Sequence, residues 1–143
     1  MKKILIMGLP GAGKTTLATE IQKELGPNCL WLNADAVREK YNDWDFSLIG
    51  RLRQAQRMSD LAVELAAELD KDYVICDFVA PLREMRTIFN ADITIWVDTI
   101  KAGRFEDTNK LFEEPDLTND PCIHVTEQDA EKWAKIIIEN LLG

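Results

Sequence analysis

The stretch Gly8–Thr15, which reads Gly-Leu-Pro-Gly-Ala-Gly-Lys-Thr, has the residue types and the spacing of a phosphate-binding loop. It follows the apolar run Ile4–Met7 and precedes a segment with a helical pattern, and this is the context that the motif requires. Its three glycines allow the backbone to curl so that N–H groups point inward at an anion, and the helix N-terminus adds its dipole. The stretch therefore predicts a polyphosphate ligand.

Two side chains of the loop have separate predicted tasks. We expect Lys14 to reach the outer phosphates as a point charge and to be catalytic, and the Thr15 hydroxyl to ligate a magnesium ion. ATP and Mg²⁺ are accordingly the predicted ligands. A glycine-rich turn that only joins a strand to a helix fits less well, because every fixed position and both flanks match. The predicted nucleotide-binding residues of the loop are Gly8, Gly11, Ala12, Gly13, Lys14, Thr15 and Thr16.

Two carboxylates follow predicted strands and compete for roles in catalysis. Asp35 comes after the apolar run 29–32, and Asp77 directly follows the run 73–76. Asp35 could hold magnesium or accept the proton of an attacking hydroxyl group, and as an alternative or in addition it could cap a short helix. Asp77 has the apolar-strand-plus-aspartate pattern of a Walker-B motif. We predict Asp35 as the catalytic carboxylate and a metal ligand, and Asp77 as a partner of the magnesium ion.

Arginines concentrate positive charge in one part of an otherwise acidic chain. Guanidinium groups suit phosphate or sulfate oxygens, so Arg38 and Arg51 predict a clamp for an anionic acceptor. For Arg53 and Arg57 we favour a structural role, in which they lie on a solvated helix face and pair with nearby acidic side chains. Phe46, close in sequence to the clamp, could stack on a planar ring such as a base, or belong to the core.

The composition is that of one folded domain, which we predict to span residues 1–143. A hydrophobic content of 46% supports a proper core, and a net charge of −8 disfavours nucleic acid and anionic membranes as partners. No apolar run has the length of a membrane span and no leader precedes the first strand, so we expect a cytoplasmic protein. The three cysteines, Cys29, Cys76 and Cys122, are expected to be free thiols in or beside strands.

Strand patterns alternate with helix patterns along the chain, and this predicts a parallel sheet covered on both faces. We expect strands over 2–7, 29–32, 73–76, 93–97 and 122–125, and helices over 16–25, 36–41, 48–70, 81–89 and after 126. The fold class is therefore α/β, a three-layer α/β/α P-loop NTPase with a five-stranded parallel sheet. The long helix should follow an N-cap at Ser47, with a core stripe of Leu48, Leu52, Ala55, Ala62, Leu65 and Leu69.

A polar segment at about 100–120 interrupts this alternation. It contains Pro115 and charges of both signs, so we predict a lid-like excursion with one helical turn. Lys101, Arg104 and Lys110 could close over the transferring phosphoryl group or stack on adenine, with a solvated loop as an equal alternative. We add Arg104 to the predicted nucleotide-binding residues.

Four stretches of the chain match the pattern of a known family, namely Gly8–Ala18, Leu32–Arg38, Phe46–Arg51 and Phe78–Arg83. Through them the chain resembles, along most of its length, the adenylylsulfate kinase (APS kinase) family of P-loop kinases. The resemblance implies transfer of the γ-phosphoryl group of ATP to the ribose 3′-hydroxyl group of adenylylsulfate. It also implies that Asp35 is the catalytic carboxylate near magnesium. Arg38 and Arg51 would then contact the anion of the substrate, and Phe46 would stack on its adenine.

Several positions depart from the family pattern. Asn33-Ala34-Asp35 stands where the family usually has Asp-Gly-Asp, and Gln54 replaces an asparagine one turn after the second arginine. Asp77 and Ala80 replace serines, and the usual lid motif is absent. Gln54 remains a predicted substrate-binding residue beside Asp35, Arg38, Phe46 and Arg51. The expected partner is a small anionic substrate, with a homodimer possible. Adenylylsulfate leads, and a nucleoside monophosphate, a sugar, or a non-catalytic nucleotide-binding module are the alternatives.

Overall fold

Five parallel strands form one sheet in the order β2-β3-β1-β4-β5, which confirms the predicted five-stranded parallel sheet. These findings come from a computed structural model that describes residues 1–102, 106–119 and 121–142, with the backbone only for residues 106 and 107. The strands are β1 Lys2–Met7, β2 Cys29–Asn33, β3 Tyr73–Asp77, β4 Ile93–Val97 and β5 Ile123–Val125.

Helices cover both faces of the sheet, as the predicted three-layer α/β/α architecture requires. Helices α1 and α6 pack on one face, and α3 and α4 pack on the other. Among the described residues, none of these helices is both long enough and apolar enough to cross a membrane. The helices are α1 Lys14–Leu25, α2 Ala34–Tyr41, α3 Leu48–Leu69, α4 Arg83–Phe89, α5 Glu106–Leu111 and α6 Ala130–Leu142.

Strand β1 lies at the centre of the sheet and leads into the phosphate loop. Ile4 and Ile6 belong to the core under α1 and α6, whereas Leu5 and Met7 belong to the core under α3 and α4. The strand is an uninterrupted apolar run because both of its faces are buried. Its neighbours are β3 on one side and β4 on the other, and the chain crosses from the first side of β1 to the second between β3 and β4. This arrangement opens a crevice at the carboxyl ends of the strands, where ligands of such sheets bind.

The predicted core stripe of α3 is only partly confirmed. Ala55 and Ala62 are fully buried, but Leu48 is 57% exposed and Leu69 is 50% exposed, so these two predictions were wrong. The buried face instead consists of Gly50, Gln54, Ala55, Met58, Ser59, Ala62 and Ala66. Small residues on this face let α3 approach β3 and α4 closely, and they leave the leucines at the two ends facing outward. The predicted N-cap is confirmed, because the Ser47 hydroxyl accepts a hydrogen bond from Gly50 N (3.2 Å).

The three cysteines are free, as expected, with Cys29 and Cys76 buried and Cys122 half-buried. Burial raises the pKa of the Cys29 thiol to about 11, so this thiol is protonated at neutral pH and unreactive. The helical turn expected at about 100–120 is present as α5, Glu106–Leu111.

Candidate active site

The phosphate loop is shaped by glycines whose conformations other residues rarely adopt. Gly8, Gly11 and Gly13 have φ angles of 147°, 89° and 102°. At Gly8 the space is also closed, because an added Cβ would lie 2.4 Å from the carbonyl oxygen of Val97 at the end of β4. The Thr99 hydroxyl, just beyond β4, donates a hydrogen bond to the carbonyl oxygen of Ala12 (2.6 Å). The loop is therefore held against the carboxyl end of β4.

The side chains of the loop lie at the N-terminus of α1. Gly13 is the N-cap of this helix and offers no side chain to its first N–H groups, which leaves them to an anion. The Lys14 ammonium donates a hydrogen bond to the carbonyl oxygen of Leu9 (3.1 Å), so it curls back over the loop. Thr15 and Thr16 are exposed in the first turn. The backbone N–H groups and these side chains lie together at the place where the sequence predicts an anion site.

Asp77 is a buried carboxylate whose two oxygens are both hydrogen-bonded. The side chain is at the end of β3, and the residue is only 3% exposed. Trp31 Nε1–H donates to Oδ2 (2.6 Å) and Asn33 Nδ2–H donates to Oδ1 (3.0 Å). Burial raises the pKa of Asp77, while these two hydrogen bonds and the charge of Lys14 oppose the rise. Trp31 escaped the sequence analysis because a tryptophan in an apolar strand is typical of a core.

Asn33, and not Asp35, makes the capping contact that the sequence considers for Asp35. Asn33 is the N-cap of α2, because its Oδ1 accepts a hydrogen bond from Ala36 N (3.0 Å). Asp35 is exposed in the first turn of the same helix, and its charge acts on Asp77. The capping role considered for Asp35 thus belongs to Asn33. Asp35 is left as an exposed carboxylate close to a buried, oriented one.

The predicted anion clamp comes together around one aromatic ring. Phe46, 51% exposed, has its ring centre 4.2 Å from Arg38 Cζ and 5.4 Å from Arg51 Cζ. Arg38 is buried and donates hydrogen bonds to the carbonyl oxygens of Asp43 (2.9 Å) and Asp45 (3.3 Å). Arg51 Nε donates to the carbonyl oxygen of Phe46 (2.8 Å). We call Arg38, Phe46 and Arg51 the arginine–phenylalanine cluster.

The loop between α2 and α3 that carries this cluster is fixed by ion pairs. Arg53 binds the carboxylates of Asp43 and Asp45, each at 3.0 Å, and Arg57 binds Asp43 at 3.0 Å. The expectation that Arg53 and Arg57 pair with nearby acids is confirmed. Gly50 lets the loop approach α3, because an added Cβ there would lie 2.2 Å from the carbonyl oxygen of Asp45. The loop therefore rests directly on the first turn of α3.

Gln54 is placed differently from the expectation for a substrate-binding residue. It is 2% exposed, and both ends of its amide are bound within the protein. Nε2–H donates to the carbonyl oxygen of Ala34 (3.1 Å), and Oε1 accepts from Arg57 (3.1 Å). In this structure the amide ties α2 to α3 instead of facing the cluster. Arg104, which the sequence analysis adds to the nucleotide-binding residues, lies outside the described residues.

Sequence reasoning missed a cavity of about 300 Å³ beside the phosphate loop. Gly11, Gly13 and Thr16 form one wall, and residues beyond the ends of β4 and β5 form the other. The second wall includes Thr99 and Gln128, whose side chains lie 3.5 Å apart. The alternation of strands and helices places these residues at the same edge of the sheet as the loop, so the sequence contained a signal for this wall of the cavity. Residues that also line the cavity are Leu17, Val97, Val125, Glu127, Asp129, Ala130 and Trp133.

Comparison with known families bears on this geometry. The family described as adenylylsulphate kinase matches residues 2–105. The chain belongs to the adenylylsulphate kinase family. This confirms the resemblance inferred from the sequence, and it supports an ATP-dependent, nucleotide-binding phosphotransferase. No curated protein matches the chain.

Solved structures share the fold at low sequence identity. The APS kinase of Mycobacterium tuberculosis, solved with AMPPNP and APS, has a TM-score of 0.79 and 20% identity, over 99% of this chain and 98% of that chain. A hexameric APS kinase from Thiobacillus denitrificans has a TM-score of 0.70 and 22% identity, over 98% of this chain and 28% of that chain. A shikimate kinase from Acinetobacter baumannii, solved with shikimate, has a TM-score of 0.59 and 20% identity, over 99% and 93%. These neighbours confirm the P-loop kinase fold.

Proposed function

We propose that this member of the adenylylsulphate kinase family transfers the γ-phosphoryl group of ATP to the 3′-hydroxyl group of adenylylsulfate. One observation carries the choice of acceptor, namely the half-exposed ring of Phe46 with the guanidinium groups of Arg38 and Arg51 close to it. An aromatic ring offers a stacking surface to a base, and guanidinium groups bind phosphate and sulfate oxygens. Adenylylsulfate joins a base to such an anion, so it would use both parts of the cluster.

The donor side of the proposed reaction rests on the phosphate loop. N–H groups of the loop and of the first turn of α1 would hold the phosphates of ATP. Lys14 reaches Leu9 at the start of the loop, so its ammonium lies over the anion site and would offset charge on the transferring group. The predicted nucleotide-binding residues Gly8, Gly11, Ala12, Gly13, Thr15 and Thr16 belong to this same short segment.

The side chains at the carboxyl edge fit a magnesium ion. Mg²⁺ is usually held by one or two carboxylates together with the phosphates of the substrate. The exposed Thr15 hydroxyl, the exposed Asp35 carboxylate and the oriented Asp77 carboxylate supply oxygens of this kind. Across the described ranges, no group of three or more His, Cys, Asp or Glu side chains is gathered as a metal site, so the phosphates would complete the coordination. When bound, the ion would neutralise charge on the transferring phosphoryl group.

Asp35 would orient the attacking hydroxyl group and accept its proton. It is the exposed carboxylate of the pair, so it has access to a bound acceptor. Asp77 has less freedom to contact a bound acceptor, because Trp31 and Asn33 hold both of its oxygens. We therefore assign the catalytic role to Asp35 and a role in holding magnesium to both carboxylates.

A second candidate is a kinase of the same class with another small acceptor, such as a nucleoside monophosphate or a sugar. The buried state of Gln54 favours it, because the amide that the family pattern places at the substrate is bound to Ala34 and Arg57 instead. Arg38 likewise directs N–H groups to the carbonyl oxygens of Asp43 and Asp45. Gln54 and Arg38 therefore offer adenylylsulfate fewer polar groups than the family pattern implies.

An assay with a panel of phosphoryl acceptors distinguishes the two candidate functions. ADP release is measured with ATP and Mg²⁺ in the presence of adenylylsulfate, nucleoside monophosphates, shikimate and sugars, and the product is examined by ³¹P NMR. We expect the highest kcat/KM for adenylylsulfate, with a new phosphomonoester at the 3′ position. Turnover confined to the other acceptors would establish the second candidate. Tight ATP binding without any turnover would indicate a nucleotide-binding module that lacks catalysis.

A further inference from the structure

The segment that follows β4 supports the phosphate loop from one side. The carbonyl oxygen of Val97 lies 2.4 Å from the position that a Cβ on Gly8 would take, and Ile100 Cδ1 lies 3.8 Å from that of a Cβ on Gly11. Both glycines have positive φ angles, so the loop and the segment approach each other in a backbone conformation that other residues rarely adopt. These contacts fix how closely the loop approaches β4, but they do not fix the direction of its peptide groups.

The supporting segment is itself fixed to β5. Asp98 N–H donates a hydrogen bond to the carbonyl oxygen of Val125 (2.8 Å), and the Asp98 carboxylate lies 2.9 Å from His124 Nε2. The ring of His124 stacks on Trp96 of β4, with the two ring centres 4.3 Å apart. The segment therefore offers the phosphate loop a support that is held by both neighbouring strands.

Thr99 in this segment binds the backbone of the phosphate loop through its side chain. The half-buried hydroxyl group donates a hydrogen bond to the carbonyl oxygen of Ala12 (2.6 Å), and Gln128 Nε2 lies 3.5 Å from the same hydroxyl oxygen. A trans peptide group is planar, with its C=O and N–H on opposite sides, so a held Ala12 oxygen also fixes the direction of the Gly13 N–H group. Gly13 is the N-cap of α1, in the stretch whose N–H groups would hold the phosphates.

We propose that Thr99 is a positioning residue for the phosphoryl donor, whose hydroxyl group keeps the peptide between Ala12 and Gly13 in the orientation that binds phosphates. This inference rests on the proposed binding of ATP at the loop, but it does not depend on the acceptor. Thr99 acts through the loop and not on the reacting atoms. A site that is ordered before its ligand arrives binds more tightly, because the ordering does not reduce the free energy of binding. Without the hydroxyl group, the apparent affinity falls with the fraction of molecules whose loop has the binding conformation.

Two substitutions at position 99 test the role of the hydroxyl group. Thr99→Val keeps the shape of the side chain and removes the hydroxyl group, whereas Thr99→Ser keeps the hydroxyl group. Dissociation constants for ATP and for inorganic tripolyphosphate, which lacks the nucleoside, are measured by calorimetry with Mg²⁺ and without any phosphoryl acceptor. We expect Thr99→Val to bind both ligands about fivefold more weakly than the wild-type protein, as for loss of one neutral hydrogen bond. Thr99→Ser should restore the wild-type affinities.

The control variant is Thr87→Val, which removes a hydroxyl group that donates to a backbone carbonyl oxygen within α4 (3.2 Å). It should keep the wild-type affinity for both ligands. Wild-type affinity for tripolyphosphate in Thr99→Val would overturn the inference even if ATP bound more weakly, because Thr99 would then act on the nucleoside. Binding by Thr99→Ser that is as weak as that by Thr99→Val would also overturn it, and so would a wild-type protein that binds ATP but not tripolyphosphate.

Two further comparisons separate this inference from a structural role and from the proposed function. A purely structural hydroxyl group would lower the free energy of unfolding, measured in urea, and leave the affinity of the folded protein for tripolyphosphate unchanged. Turnover of adenylylsulfate together with unchanged affinities in Thr99→Val would refute the role of Thr99 alone. Affinities that follow the hydroxyl group, without turnover of adenylylsulfate, would support the role of Thr99 and refute the proposed acceptor.

Discussion

The phosphate loop and the arginine–phenylalanine cluster lie at the same edge of the sheet, but they are built from different parts of the chain. The loop is made by backbone, with Gly8 pressed against the carbonyl oxygen of Val97 and N–H groups offered to an anion. The cluster is made by side chains that bind one another, and its arginines also bind backbone carbonyl oxygens of their own loop. The backbone geometry of the loop therefore permits few amino-acid sequences, whereas the side-chain contacts of the cluster can be made by many.

This difference explains why the donor can be predicted from the chain more firmly than the acceptor. A backbone site needs glycine at positions where φ is positive, and those positions show directly in the sequence. A side-chain site changes whenever one partner changes, as Gln54 shows by turning to Ala34 and Arg57. Mutations on the two sides should accordingly differ in size and in kind.

The largest effect is expected on the donor side. Lys14→Ala should lower kcat by about 10²-fold or more, because it removes a preorganised charge from the transferring group. ADP release at saturating ATP and acceptor measures this change. Lys23→Ala, at the other end of α1, is the matched control and should keep the wild-type rate. An unchanged rate in Lys14→Ala would contradict the catalytic role of Lys14, and with it the expectation that mutations in the phosphate loop have larger effects than mutations in the cluster.

A smaller and different effect is expected in the cluster. Arg51→Ala should raise the KM of the acceptor by about tenfold and leave the affinity for ATP unchanged, because a charged hydrogen bond to the acceptor would be lost. Initial rates over a range of acceptor concentrations provide the KM. Lys40→Ala removes an exposed cation from α2 and serves as the control. A weaker affinity for ATP in Arg51→Ala, with no change for the acceptor, would place this arginine on the donor side.

The smallest effect concerns how the cluster is supported. Hydrogen bonds from Arg53, from the backbone N–H group of Asp45 and from Arg57 lower the pKa of Asp43 from its ordinary value of 3.8, with the bond from Arg53 the largest cause. In this case the unfolded chain takes up a proton before the folded protein does, so the contribution of Asp43 to stability is present above pH 3.8 and is lost as the pH falls further. Urea unfolding between neutral pH and pH 3 should therefore show a flatter acid decline for Asp43→Asn than for wild type.

A comparison variant separates this ion pair from general charge effects. Glu39→Gln removes an exposed carboxylate of α2 and should leave the acid decline as steep as in the wild-type protein. If both variants flatten the decline equally, the arginines do not stabilise the loop through Asp43.

The sequence predicts the elements of this fold well because its strands are short apolar runs, and the central strand β1 is buried on both faces. The sequence does not predict which side chains of a helix are buried when two faces of that helix have similar residues. The leucines of α3 look like core residues, but small alanines pack closest to β3 and α4, and Leu48 and Leu69 face outward. Pairings across the sheet are equally hidden. Trp31 and Asp77 lie 46 positions apart, and only the register of β2 with β3 brings them together.

The hydrogen bond between Asn33 and Asp77 restricts how this site can change. The family pattern usually has a carboxylate at the first of these positions and a serine at the second, whereas this chain has an amide and a carboxylate. Asn33→Asp alone would set two carboxylates against each other, since the side-chain atoms involved are 3.0 Å apart. Asp77→Ser alone would give the amide of Asn33 and the indole of Trp31 one hydroxyl oxygen in place of the two carboxylate oxygens that they now bind. Either substitution toward the usual pattern is therefore unfavourable by itself, and the residues at the two positions are expected to change together.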